Sequence, residues 1–361
     1  MRVKLKDVCE KATSNLKQSD ILSIGGTYPV YGASGYLGNI DSYHQDKPYI
    51  AVVKDGAGIG RTTILPPKSS VIGTMQYLIP KENVMPEYLY YVVKHMRLQK
   101  YYTGATIPHI YFKDYQNEEF NLADSIRQRE IVKVLKNVED TIRYQEIEIN
   151  KFDELIKARF IEMFGDLRIN DKAWDLKTFE EMSVLITDGE HSTPKRTKEG
   201  IYLLSARNVL NHSLQLEDVD YINRDEYLRI AKRVIPKKGD ILISCSGTIG
   251  RCCSVPDYLQ FQMVRSVALI RFKEVINPIF AEYMITSDYL QEQINSSKTM
   301  SSQANLFQGK IKKLKGFLPP IELQDQFADF VRQVDKSREE VKKSLEKTQQ
   351  LYDSLMQEYF G

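Results

Sequence analysis

Two arginines in this 361-residue chain close the same short glycine-rich phrase. Arg61 ends DGAGIGR at 55–61, and Arg251 ends SGTIGR at 246–251, 190 positions later. Each phrase follows a run that reads as a buried strand, YIAVVK at 49–54 and ILIS at 241–244. A guanidinium is a planar fork of donors that fits a phosphate or the O6 and N7 edge of guanine. A strand-to-strand turn that needs glycine for its backbone explains the glycines, but not an arginine at the tip twice. A nucleotide loop is excluded, because its phosphate rests on the N-terminus of a helix that follows at once, whereas residues 62–65 are β-like and stop at Pro66-Pro67. Lys54, Arg61, Ser246, Thr248 and Arg251 are therefore candidates for contact with nucleic acid.

Three other stretches have the same character. The run GGTYPVYGASGYLGN at 25–39 is too broken by glycine for a helix and presents Tyr31 and Ser34 on turns. Residues 187–208, TDGEHSTPKRTKEGIYLLSARN, hold His191, Ser192, Thr193, Lys195, Arg196, Lys198, Arg207 and Asn208, groups that bind phosphates and base edges. The polar loops TGATIPHIYFKD at 103–114 and SSKTMSSQANLFQGK at 296–310 add His109, Lys113 and Gln303. Lys310, Lys312, Lys313 and Lys315 read as a solvated strand edge, with phosphate contact as the alternative.

Catalytic patterns are missing. An amino-methyltransferase grips its amine with an Asn/Asp-Pro-Pro-aromatic turn, yet Pro66-Pro67 is followed by Lys68 and Pro319-Pro320 by Ile321. No acidic-x-Lys triplet of a metal-dependent nuclease appears between Pro256-Asp257 and Val275, and no Gly-Lys-Ser/Thr loop or Gly-x-Ser-x-Gly elbow occurs. Cys9, Cys245, Cys252 and Cys253 lack the spacing of a zinc or disulfide framework and read as reduced, buried thiols. No metal site is expected. With 50 basic and 48 acidic side chains the net charge is only +2, so any basic surface must arise by local clustering. No apolar run approaches 18 residues and no signal-like segment opens the chain, which points to a cytoplasmic protein.

The elements that must position these groups repeat. A seven-residue spacing places Leu135, Ile142, Ile149, Ile156 and Met163 at one seam position and Ile131, Val138 and Phe152 at another, interrupted by Gln145 and Arg159. A shift of 196 brings Val331, Leu345, Tyr352 and Tyr359, and Phe327, Val334, Val341 and Leu355, into the same places, interrupted by Arg338 and Thr348. Gln128 and Gln324, Glu162 and Glu358, and the Phe-Gly pairs at 164–165 and 360–361 also fall into register. Each half opens on a short segment (Val3, Leu5, Val8; Trp174, Leu176, Phe179, Met182) and carries a helical, tyrosine-bearing stretch at 86–102 or 278–294. The expected fold is α+β: two similar globular α/β domains separated by an antiparallel two-helix coiled coil, in a pseudo-twofold internal repeat. The boundaries are 1–121, 122–166 (first long helix), 167–317 and 318–361 (second long helix). Polar seam residues are expected to help set register at a cost in stability.

With these features in hand, the chain resembles a type I restriction-modification DNA specificity (S) subunit over nearly its whole length. The residues that carry the resemblance are DGEHSTPKRTKEGI and LLSARN, YPVYGASGYLG, the paired Ile-Gly-Arg turns, IEMFGD before Trp174, and Gln128 and Gln324 at the helix starts. One departure is Ala123-Asp124, where the family tends to carry Pro-Pro as at Pro319-Pro320. The resemblance implies two target-recognition domains, each reading one half of a split DNA site, with the helices setting the spacer and docking modification subunits. It implies no catalysis on this chain: modification subunits bring S-adenosylmethionine, and restriction subunits bring ATP and Mg²⁺. The other open reading is a coiled-coil interaction scaffold without DNA specificity.

Overall fold

The computed structural model describes residues 1–21, 25–104, 108–296 and 305–361. The chain divides into two compact units, Met1–Glu148 with Val341–Gly361, and Ile149–Glu340. Each contains part of both long helices, Ser125–Phe164 and Ile321–Phe360.

In the first unit, the strand Arg2–Lys4 pairs antiparallel with Glu119–Asn121 and runs into a single helical turn, Leu5–Val8, that buries Leu5 and Val8. A four-stranded antiparallel sheet has the order Cys9–Thr13, Met75–Pro80, Tyr49–Val53, Thr62–Leu65, and a second sheet pairs Tyr28–Gly32 with Gly35–Ile40 and, in parallel, with Ser70–Val71. The helix Pro86–His95 lies on the first sheet's Ile50, Val52 and Leu78. The second unit repeats this plan. Asp175–Thr178 pairs with Lys315–Leu318, the turn Phe179–Met182 is capped by Thr178 and Glu181, and the sheet order is Ser183–Asp188, Val267–Phe272, Ile241–Ser244, Cys252–Ser254. Ile201–Leu204 pairs in parallel with Phe261–Met263. The stretch expected as one helix at 278–294 is two, Pro278–Thr286 and Asp288–Ser296, because Ser287 is extended and its hydroxyl bonds back to the Met284 carbonyl at 2.6 Å. The stretch at 86–102 also breaks, at Arg97, whose φ is 50°.

Both long helices start on the same staple. Gln128 (1% exposed) accepts from Met85 N–H at 2.8 Å and donates to the Asn83 and Ala123 carbonyls; Gln324 (0%) accepts from Asn277 N–H at 2.9 Å and donates to the Val275 and Pro319 carbonyls. The Ala123-Asp124 departure is absorbed, since Ala123 presents the carbonyl that Pro319 presents and Asp124 Oδ1 caps the N–H groups of Ile126 and Arg127.

Within each unit the helix segments run antiparallel. In the first, Glu139 meets Tyr352 and Gln145 donates to Ser344 at 2.8 Å; in the second, Asp153 meets Arg338 at 2.6 Å and Arg159 lies over the Phe330 ring. Ile131, Leu135, Ile156, Phe327, Val331 and Val334 are buried as the heptads require. Phe160, Phe164, Met356 and Phe360 are buried as well, because the helix ends also pack on a globular core, which widens the apolar stripe beyond a two-helix seam. Phe360 meets Tyr88 in the first unit and Phe164 meets Phe280 in the second, so each core is completed by the far end of the other half's helix. Thr348 is a correction: its hydroxyl bonds the Ser344 carbonyl of its own helix and does not cross the seam. All four cysteines are buried and unpaired, and burial pushes the Cys9 and Cys245 thiols up to about 12. Among the described residues no helix is long and apolar enough to cross a membrane, and no group of three or more His, Cys, Asp or Glu is placed to hold a metal.

Candidate nucleic-acid interface

The two Ile-Gly-Arg turns are held in one main-chain frame. Val53 N–H donates to the Arg61 carbonyl and Gly60 N–H to the Val53 carbonyl, both at 2.9 Å; Ser244 N–H donates to Arg251 at 2.8 Å and Gly250 N–H to Ser244 at 2.9 Å. Six residues separate Val53 from Gly60 and five separate Ser244 from Gly250, so the first loop is one residue longer. Gly60 and Gly250 have φ of 78° and 86°, where an L side chain is strained. Both pack against the segment that follows the unit's helix: a Cβ on Gly60 would lie 2.5 Å from the Gln99 backbone nitrogen, and one on Gly250 2.9 Å from Gln291 Oε1. A second bond ties each turn to its downstream loop, Ile110 N–H to Lys54 C=O and Leu306 N–H to Cys245 C=O, both at 2.9 Å.

Side chains on this frame differ. In the first unit, exposed Arg61 donates from Nη1 to the Ala33 carbonyl at 2.9 Å, which sets its guanidinium against the hairpin tip that carries exposed Ser34. Half-buried Tyr31 lies on the same hairpin, its ring edge-on to Tyr36 at 6.1 Å. Lys54 bonds Asp55 at 2.6 Å, His109 Nδ1 bonds the other Asp55 oxygen at 2.6 Å, the His109 ring stacks toward Tyr111, and Lys113 Nζ sits 5.3 Å from the Tyr111 centroid. Burial works to raise the Asp55 carboxyl, but the hydrogen bonds from Lys54 and His109 outweigh it and hold the group below its usual range. The structure thus brings Tyr31, Ser34 and Arg61 together at one place and Lys54, His109 and Lys113 at another.

In the second unit, exposed Thr248 lends its carbonyl to the Ser244 hydroxyl, half-buried Ser246 bridges to Asn305, and Arg251 is half-buried with its Nε enclosed and, among the described residues, without a hydrogen-bond partner. His191 lies 3.6 Å from Asp188, and Ser192 bonds Glu190, which with Glu226 also holds Arg229. Lys195 is exposed, while its backbone N–H donates to Glu226 at 3.2 Å. Arg196 and Arg207 share Asp220, at 2.9 and 3.3 Å. They are held in place by a carboxylate that offsets part of their charge. Asn208 is corrected: it is 0% exposed, and its amide donates to Gln215 and Asp218 carbonyls while its oxygen accepts from Ser205. It braces the loop and cannot reach a ligand. Gln303 lies outside the described residues.

Residue-type reasoning missed three members. Asp55 orients both Lys54 and His109, and the Asp-Gly step that opens its turn was the available signal. Tyr36, 60% exposed at the hairpin beside Arg61, was one tyrosine among several in its run. Arg229 anchors the 188–192 loop from a helix 37 positions on, and nothing local marks it.

Comparison with known proteins places this arrangement. The type I restriction modification DNA specificity domain matches residues 1–152 and again 172–350. The chain is similar to the specificity subunit of the MjaVIII type I restriction enzyme of Methanocaldococcus jannaschii, 22% identical over 330 residues, covering 84% of this chain and 77% of that one. It is also similar to the EcoBI specificity subunit of Escherichia coli, 26% identical over 168 residues, 45% of this chain and 35% of the relative. In structure it resembles the S subunit of a type I system from M. genitalium, with a TM-score of 0.61 at 14% identity over 100% of this chain and 96% of that one. A chain from a type I system studied for complex assembly and conformational transition superposes with a TM-score of 0.63 at 12% identity, over 99% and 97%.

Proposed function

The chain belongs to the type I restriction modification DNA specificity family, and from that membership we propose that each compact unit reads one half of a split duplex site. The observation that carries this is the repeated glycine turn, which presents Arg61 and Arg251 from one main-chain frame in two units whose surrounding side chains differ. Two readers that share a frame and differ in side chains can accept two different sequences. In the first unit Arg61, Ser34 and Tyr31 offer donors and an aromatic edge to base edges, while Lys113 offers phosphate contact. In the second, Arg251, Thr248, Lys195, Arg196 and His191 do so. Catalysis belongs to partners in this reading: modification subunits bind S-adenosylmethionine, restriction subunits bind ATP and Mg²⁺, and the long helices dock the former and set the spacer, in the cytoplasm.

The test is the methylated motif made by the full complex. Arg61→Ala should weaken binding by about 1–3 kcal/mol and relax one position of one half-site, and Arg251→Ala should do the same in the other half. An unchanged motif and unchanged affinity for both variants would remove the turns from the reading.

A further inference from the structure

One large aromatic side chain stands in solvent on the loop that closes each glycine turn. Tyr111 is 49% exposed and Phe307 57%. Position 307 lies 196 beyond 111, the shift that relates the long helices. The two residues also share a backbone position. Each is extended (φ −119°, ψ 139°; φ −85°, ψ 150°) and immediately precedes a short helix, Phe112–Tyr115 or Gln308–Lys313. Each carbonyl accepts from the N–H three residues on, Asp114 at 2.9 Å and Lys310 at 2.8 Å. Each follows the residue, Ile110 or Leu306, that is buried and bonded to its turn.

A single exposed aromatic needs no explanation, but the same exposure at one position of two diverged copies is a shared feature of the surface. Lysines lie close to each ring in space or in sequence. Lys113 Nζ lies 5.3 Å from the Tyr111 centroid with the His109 ring stacked at 6.3 Å, and exposed Lys310 and Lys313 follow Phe307. An apolar ring with lysine beside it or shortly after it in sequence, on a loop tied by a main-chain hydrogen bond to a turn that presents arginine, fits a polyanion with apolar sugar and base surfaces.

Resting on the reading that these turns face duplex DNA, we propose that Tyr111 and Phe307 are the apolar part of each unit's DNA contact, packing against deoxyribose and base while Lys113 and Lys310 hold the neighbouring phosphates. The hydroxyl is not needed, since the second position is phenylalanine. The rings carry no donor and acceptor code, so they add affinity without choosing sequence.

The experiment uses the full-length chain assembled with its modification subunits, a randomised duplex library for affinity, and the methylated motif for sequence. Tyr111→Ala and Phe307→Ala should each weaken binding about tenfold, and the double variant about a hundredfold, as expected when part of a ring's apolar surface is no longer buried in the interface. The salt dependence of binding should keep its slope, whereas Lys113→Ala should lower that slope by about one, as expected for a lost phosphate contact. Tyr111→Phe should bind as the parent does, and the motif should be unchanged throughout. Parental affinity in both alanine variants overturns the inference while Arg61→Ala still relaxes the motif; an altered motif, or a failure to assemble with the modification subunits, overturns it in favour of a base-reading or protein-binding ring. A parent complex that binds no duplex overturns the underlying reading itself.

Discussion

The glycine turn of the first unit is wrapped in charge, and that of the second is wrapped in amides and hydroxyls. Around Val53–Arg61, Asp55 holds Lys54 on one oxygen and His109 on the other. Around Ser244–Arg251, Gln291 donates to the Gly250 carbonyl at 3.0 Å and the Ser244 hydroxyl donates to Thr248 at 2.7 Å. The frame is nevertheless the same, because positive-φ glycines and long-range main-chain bonds define it without side chains. Divergence is cheap where only side chains change and costly where the backbone would have to move. Four experiments test how far that equivalence goes.

The largest effect belongs to the crossed helix ends. Phe360→Ala and Phe164→Ala should each cost about 3–5 kcal/mol, since both rings are buried against aromatic partners. Hydrogen exchange should place the loosening from Phe360→Ala in residues 1–148 and that from Phe164→Ala in 149–340. Loosening confined to the mutated helix would break the claim that each core is completed by the other half.

Next come the glutamine staples. Gln128→Ala and Gln324→Ala each strip three main-chain groups of a buried partner, and about 3 kcal/mol should be lost in either case. A denaturant series that shows one staple worth much more than the other would mark Asp124, where its counterpart is Pro320, as the source of asymmetry. The turns should then separate from one another. Gly60→Ala and Gly250→Ala each force an alanine into positive φ, at about 1–2 kcal/mol. Gly60→Ala should cost more, because its Cβ meets the Gln99 backbone while that of Gly250 meets the movable end of Gln291. Equal thermal shifts would show that the Gln99 backbone yields.

The smallest effects are in pH dependence, and their signs oppose. Asp55 titrates low in the folded first unit, so its contribution is present above the unfolded carboxylate pKa and fades as pH falls through the folded one. Asp55→Asn should remove that acid-side loss. Asp335 in the second unit titrates high, because burial, aided by Glu282 and Asp153, outweighs Arg338 and His212. Its folded form keeps the proton longer, so the stability it contributes is full below the unfolded pKa and lost as pH rises through the folded one. Asp335→Asn should therefore gain on the parent as pH climbs toward neutrality. Melts from pH 3 to pH 7 that move both variants in one direction would contradict these environments.

Much of this molecule was legible in the residue order, for a physical reason. Heptad spacing, glycine phrases and the 196-residue register record local conformation and which face of an element must be buried, and those are written in neighbouring residues. The helices Ser125–Phe164 and Ile321–Phe360, the paired turns and the equivalence of Gln128 with Gln324 all follow from such patterns. Where a side chain ends up in space is another matter. Asn208 and Arg207 are adjacent and both polar, yet one is sealed inside by three carbonyl and amide partners and the other lies exposed against Asp220. Asp55 finds His109 from 54 positions away, and Phe360 reaches Tyr88 from the opposite end of the chain. Periodicity carries no information about such partners, because they are chosen by packing between elements distant in sequence. Only the tertiary structure decided which polar residues brace the loops and which remain at the surface.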